Sequence, residues 1–154
     1  MATMTSPGQP AQRYAEDVGP GDEFEETFTL TTDHVQRFLD MPGNRLGANP
    51  NRFNSAELAK RDGLPGPIVP GVMSLDVAAR IVGDFVGVWG KVKSVEVSFR
   101  RSVYHGDTLT SKILITDSGE DNGRHWFKAD LFLENERGER PLQGVADLEL
   151  PAKG

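Results

Sequence analysis

GVMSLDVAARIVGDFV, Gly71 to Val86, reads as one helix that is apolar around nearly its whole circumference. Val72, Met73, Leu75, Val77, Ala78, Ala79, Ile81, Val82, Phe85 and Val86 leave only Asp76, Arg80 and Asp84 as a polar i, i+4 stripe. Such a helix has to be wrapped. It is shorter than the roughly 20 apolar residues of a membrane span, so the expected wrapping is protein.

The rest of the chain supplies the wrapping. After Gly90 the hydrophobic period changes to two: Val95, Val97, Phe99 and Val103; then Leu109, Ile113 and Ile115; Phe127, Ala129, Leu131 and Leu133; and Ala146, Leu148 and Leu150. These are four strands, joined by Gly- and Asn/Asp-bearing turns at His105–Asp107, Asp117–Gly123 and Asn135–Gly138. Upstream, Phe24, Phe28 and Leu30 share one face of a further strand. Thr31 or Thr32 caps a short helix with Val35, Phe38 and Leu39 at helical spacing, and His34 is expected to be exposed on it. Asn44–Phe53 is an irregular loop. Asn54 and Glu57 read as a capping box for a helix from Ser55 to Arg61, with Gly63 at its C-terminal cap. The fold class is α+β: a bent antiparallel sheet around a central helix at about 71–86.

Bulk properties narrow the function. The 154 residues carry a formal charge of -6, which argues against nucleic acid or an anionic membrane as partner. With no cysteine there is no disulfide, thiolate metal site or Cys nucleophile, and three scattered histidines (His34, His105, His125) offer no metal spacing. No cofactor or metal is expected, and neither signal peptide nor membrane span is read, so the expected location is the cytoplasm. Residues 1–13, rich in Ser, Pro, Gln and Gly, are expected to form a flexible arm before one domain at 14–154.

Several strings resemble the MaoC-like dehydratase and (R)-specific enoyl-CoA hydratase branch of the hot-dog superfamily. Phe99-Arg-Arg-Ser-Val-Tyr-His-Gly-Asp-Thr-Leu109 is similar to that family's F-x-x-P-V-x-P-G-D-T-L, and Ile68-Val-Pro-Gly-Val-Met73 to its I-A-H-G-M-L entry into the central helix. Gly144-Val-Ala-Asp-Leu-Glu-Leu-Pro151 is similar to its last strand. The resemblance implies a hot-dog fold and reversible hydration of an enoyl thioester. An Asp and a His in a G-D-x-N-P-x-H string would move the protons, and a helix-start amide, here Gly71, would polarise the carbonyl. It also implies a homodimer, or a heterodimer with another hot-dog subunit, with an acyl-CoA or acyl-carrier-protein thioester as substrate.

The departures fall on the chemistry. Aligned backwards from Asn49-Pro50, Arg52 stands at the His position and Gly47 at the Asp position; aligned forwards from Phe38, Asn44 takes the Asp position. Pro70 replaces a His before the helix. Arg stays protonated and Asn has no titratable proton, so the family's usual acid–base chemistry is not expected from them. Asn44, Arg52 and Gly71 are the candidate catalytic positions, and Asn49, Val69, Pro70 and Met73 the candidate substrate contacts. The expected function is an acyl-thioester-binding protein of the hydratase or dehydratase class with a non-standard site. The alternatives are a non-catalytic subunit completing an active heteromer and a stand-alone acyl-CoA-binding module. Lys91, Lys93, Arg100 and Arg101 could meet coenzyme A phosphates or form a solvated strand face, and Asp76 could pair with Arg80 or act as a helix carboxylate of the thioesterase kind.

Overall fold

The computed structural model describes residues 11–47 and 50–154. Its elements are β1 (Glu23–Thr29), α1 (Thr32–Leu39), α2 (Ala56–Arg61), α3 (Gly71–Val86), β2 (Lys91–Phe99), β3 (Thr108–Asp121), β4 (Arg124–Glu134) and β5 (Leu142–Leu150). The strands form one antiparallel sheet in the order β1-β3-β4-β5-β2, leaving β1 and β2 at its edges. Register shifts between Ile115 and Asp117 and between Val92 and Ser94 interrupt the ladders, and such bulges bend strands.

The inner face of this sheet meets α3. Ala78, Ile81, Val82, Phe85 and Val86 join Ile113, Ile115, Phe127, Ala129, Leu131 and Leu148 in one buried cluster. Phe85 is also met edge-on by Phe24 of β1, with ring centroids 4.9 Å apart. The chain thus buries the helix as its apolar composition demands, but incompletely. Val72 is 52% exposed, and Gly71, Ala79 and Gly83 are exposed too. One strip of the helix therefore has no cover in a single chain.

Local chemistry fixes the ends of the elements. Thr31 caps α1 by accepting from the His34 amide at 3.1 Å. The cap of α2 is Ser55, whose hydroxyl accepts from the Leu58 amide at 3.2 Å, rather than the expected Asn54. The Asn54 side-chain Oδ1 instead accepts from the Asn51 backbone N–H at 2.8 Å, because the turn at Asn51–Asn54 competes for it. Val103 lies beyond the end of β2 and still is buried, its carbonyl accepting from Val69 N at 2.7 Å.

The expected arm at 1–13 falls outside the described residues as far as residue 10. Gln12 and Arg13 are tied down. The Gln12 amide donates to Val86 O at 2.7 Å and accepts from Trp89 N at 2.9 Å, closing the C-terminus of α3. Arg13 lies over the Phe24 and Phe85 rings at 4.8 and 5.3 Å. Among the described residues no helix is long and apolar enough to cross a membrane.

Candidate functional site

The segment entering α3 is held rigidly. Ile68 N donates to Arg52 O at 3.0 Å, Val69 N to Val103 O at 2.7 Å, and Ile68 bridges Tyr104. Val69 and Pro70 are consequently buried supports of the helix start. Pro70 occupies the N-cap and brings no side-chain acceptor. Met73 N turns back to Pro70 O at 2.9 Å, whereas among the described residues the Gly71 and Val72 amides have no acceptor. A Cβ at Gly71 would make ordinary van der Waals contact with the Phe99 ring at 3.4 Å, so that ring stands beside the helix start.

Beside this helix start lies a cavity of about 400 Å³ between β1, α1 and the uncovered strip of α3. Phe28, Leu30, Phe38, Val72, Met73 and Val77 make its walls predominantly apolar. Its ionisable lining is Glu26, His34, Arg37, Asp76 and Arg80. Glu26 and Arg80 face each other at 3.7 Å, Arg80 also reaches Asp84 at 3.9 Å, and Arg37 pairs with Asp33 at 2.9 Å. His34 packs its ring 5.5 Å from that of Phe28 and accepts at Nδ1 from Thr31 N at 3.1 Å.

Of the residues singled out by sequence, Met73 lines this cavity and Gly71 adjoins it. Asn44 does not line it. Its amide donates to Phe38 O at 2.7 Å and accepts from Leu46 N at 3.0 Å, so both ends are spent pinning the loop to the end of α1. Arg52 is also elsewhere: its guanidinium lies 3.9 Å from Asp62 and 5.4 Å from the Phe53 ring, with its side chain 53% exposed. Val69 and Pro70 support the site from the core instead of lining it, since the strap to Val103 turns them inward. Asn49 lies outside the described residues.

His34 is the correction in the other direction. It was expected on an exposed face, but α1 turns Val35 and Leu39 into the core and His34, Arg37 and Phe38 toward the cavity. The i, i+4 spacing of His34 and Phe38 carried that signal. Asp76, expected to share an ion-paired stripe with Arg80 and Asp84, has no ion pair among the described residues. The basic cluster is partly neutralised: Lys93 reaches Glu149 at 3.6 Å and Arg101 reaches Glu139 at 3.2 Å. Among the described residues no group of three His, Asp or Glu is placed to hold a metal ion.

No protein-family model matches the chain, and no curated protein matches it in sequence. Solved structures do match in shape. An (R)-hydratase from A. caviae involved in PHA biosynthesis superposes with a TM-score of 0.74 at 19% identity, over 88% of this chain and 99% of that one. A MaoC-like dehydratase from Rhodospirillum rubrum gives 0.74 at 17% identity, over 92% and 99% of the two chains. The ChsH1-ChsH2 complex from Mycobacterium tuberculosis gives 0.68 at 16% identity, over 85% and 97%. A bent five-stranded antiparallel sheet around one central helix, shared with these MaoC-like dehydratases and (R)-hydratases, is the α+β hot-dog fold.

Proposed function

We propose that this protein binds an acyl thioester of coenzyme A or of a carrier protein. The acyl chain enters the cavity between β1, α1 and α3, and the thioester carbonyl lies at the Gly71 amide. The reaction is addition of water to an enoyl thioester, or the reverse elimination, with acid–base groups that differ from those of the (R)-hydratases. The observation that carries this reading is the apolar cavity of about 400 Å³ opening beside a helix start whose first two amides have no acceptor among the described residues. Its volume is of the size that encloses small organic ligands. The macrodipole of the 16-residue helix favours negative charge on a carbonyl oxygen at that end.

A second reading is a non-catalytic subunit that pairs with an active hot-dog chain. It is favoured by the loop from Asn44 to Phe53, which has neither Asp nor His, and by the open edge strand β2. A chain that shares this fold is found in the ChsH1-ChsH2 complex. On either reading β2 pairs with a second hot-dog chain across its free edge.

The test is equilibrium dialysis of the purified protein against trans-2-butenoyl-CoA and trans-2-octenoyl-CoA, followed by hydration assays on the loss of conjugated-thioester absorbance. Binding with turnover is expected. Binding without turnover selects the partner-subunit reading, and absence of binding to either thioester sinks both.

A further inference from the structure

We propose that Asp76 and His34 form the reacting pair of the cavity, Asp76 as the proton carrier and His34 as a fixed hydrogen-bond donor. This rests on the thioester reading above. Of the five ionisable residues on the cavity wall, Glu26, Arg37 and Arg80 are engaged in ion pairs at 3.7, 2.9 and 3.9 Å. Asp76 is left with no hydrogen bond or ion pair among the described residues. It is therefore the carboxylate on this wall that no cation holds among the described residues.

Its place on the helix suits that work. Asp76 shares a face with Val72 and Arg80, and its Cα stands about 7.5 Å along the axis from Gly71. Helical side chains lean toward the N-terminus, which brings the carboxylate back toward a carbonyl seated at the Gly71 amide. The carbons one and two bonds from that carbonyl are the ones that gain a proton and a hydroxyl on hydration.

The cap of α1 fixes the role of His34. Its Nδ1 accepts from Thr31 N at 3.1 Å while its own amide donates to Thr31 Oγ1 at 3.1 Å. A ring nitrogen that accepts is unprotonated, so the neutral imidazole carries its proton on Nε2. Nε2 is therefore a donor, and turning it into a base would break the cap. His34 hydrogen-bonds the water or hydroxyl oxygen and does not itself exchange protons.

The step then balances on one carboxylate. Asp76 takes a proton from water as the water oxygen bonds to the β carbon. The electron pair of the α,β double bond moves toward the thioester carbonyl, whose oxygen is held at the Gly71 amide. The protonated Asp76 then delivers that proton to the α carbon. Water has been added, the carboxylate is restored, and both additions occur on the face that Asp76 occupies.

The test compares wild type with Asp76→Asn, Asp76→Glu, His34→Phe and His34→Gln, using trans-2-butenoyl-CoA as probe, with Kd from dialysis and kcat from hydration. Asp76 is exposed, so Asn is expected to fold and to bind as wild type. It should lose about 10²–10⁴-fold in kcat, with partial recovery in Glu. His34→Phe should lose at least tenfold in kcat, with Gln, which can both accept from Thr31 N and donate, recovering part of it. Wild-type turnover in Asp76→Asn overturns the pair and leaves the hydratase reading intact. A wild-type chain that binds the thioester but never hydrates it overturns the pair and leaves binding. A chain that binds no thioester overturns both.

Discussion

Asn44 and Arg52 show how far a position in a motif can be from a role in a site. The sequence resemblance puts them where MaoC-like acid–base groups are expected, yet the amide of Asn44 is consumed by Phe38 O and Leu46 N, and Arg52 is out in solvent beside Asp62. Replacing Asn44 by Ala strands a carbonyl and an amide at the end of α1, and should cost about 1–2 kcal/mol in urea unfolding. Arg52→Ala should change stability by no more than about 0.5 kcal/mol and leave the Kd for an enoyl-CoA unchanged. A tenfold weaker Kd in Arg52→Ala would return that residue to the site. Met73 and Gly71 were legible because the helix entry is encoded locally, by Pro70 and by the switch to helical spacing. His34 and Asp76 were legible only in part, the first through its i, i+4 spacing with Phe38 and the second as a helix carboxylate, because which residues stand opposite them is settled only when β1, α1 and α3 pack together.

At the scale of elements, the strands and the central helix could be read from periodicity, but which strand lies at the edge could not. Val95, Val97 and Phe99 alternate like core residues, yet β2 has a neighbour on one side only, and Phe99 is 55% exposed. Alternation reports a face and is silent on what covers it. Contact between β2 and β5 is nonetheless close: a Cβ at Gly144 would run into the Glu96 carbonyl, so Gly144→Ala should lower stability by roughly 1–3 kcal/mol in urea unfolding. The turn from β4 to β5 is a charged staple. Asn135 accepts from the Arg137 and Glu139 amides at 3.0 Å, and Arg137 reaches both Asp107 oxygens at 3.3 Å. Hydrogen bonds from Asn135 and then Arg137 hold the Glu139 carboxyl below its ordinary value of 4.5. A carboxyl lowered in the folded state stabilises it above the ordinary value, and that contribution fades as pH falls through the lowered one. The Tm deficit of Glu139→Gln should accordingly be largest near neutrality and shrink below about pH 4.5; a deficit constant from pH 7 to pH 3 would show that the charge has no part in the staple.

The whole molecule has one side unfinished. Edge strand β2 presents unpaired backbone groups, and around it Val72, Val92, Phe99 and Val145 are exposed, with Trp89 at 72%. Isolated apolar side chains on a surface need no explanation, but a free strand edge flanked by exposed apolar side chains invites pairing and, left open, aggregation. The chain also carries a net charge of -6, which opposes indiscriminate association, so a specific partner edge is the expected remedy. A second copy of β2 laid antiparallel would join two five-stranded sheets into one and cover the strip of α3 that Gly71 and Val72 leave open. Light scattering on the purified protein should therefore give twice the chain mass, and Val92→Asp with Phe99→Asp should reduce it to one while β2 keeps its place in the sheet. Because the Phe99 ring stands close to Gly71, that same double variant should also weaken enoyl-CoA binding. A protein that is monomeric at all concentrations, yet gains turnover when a second hot-dog chain is added, would instead show that the edge is built for a different partner.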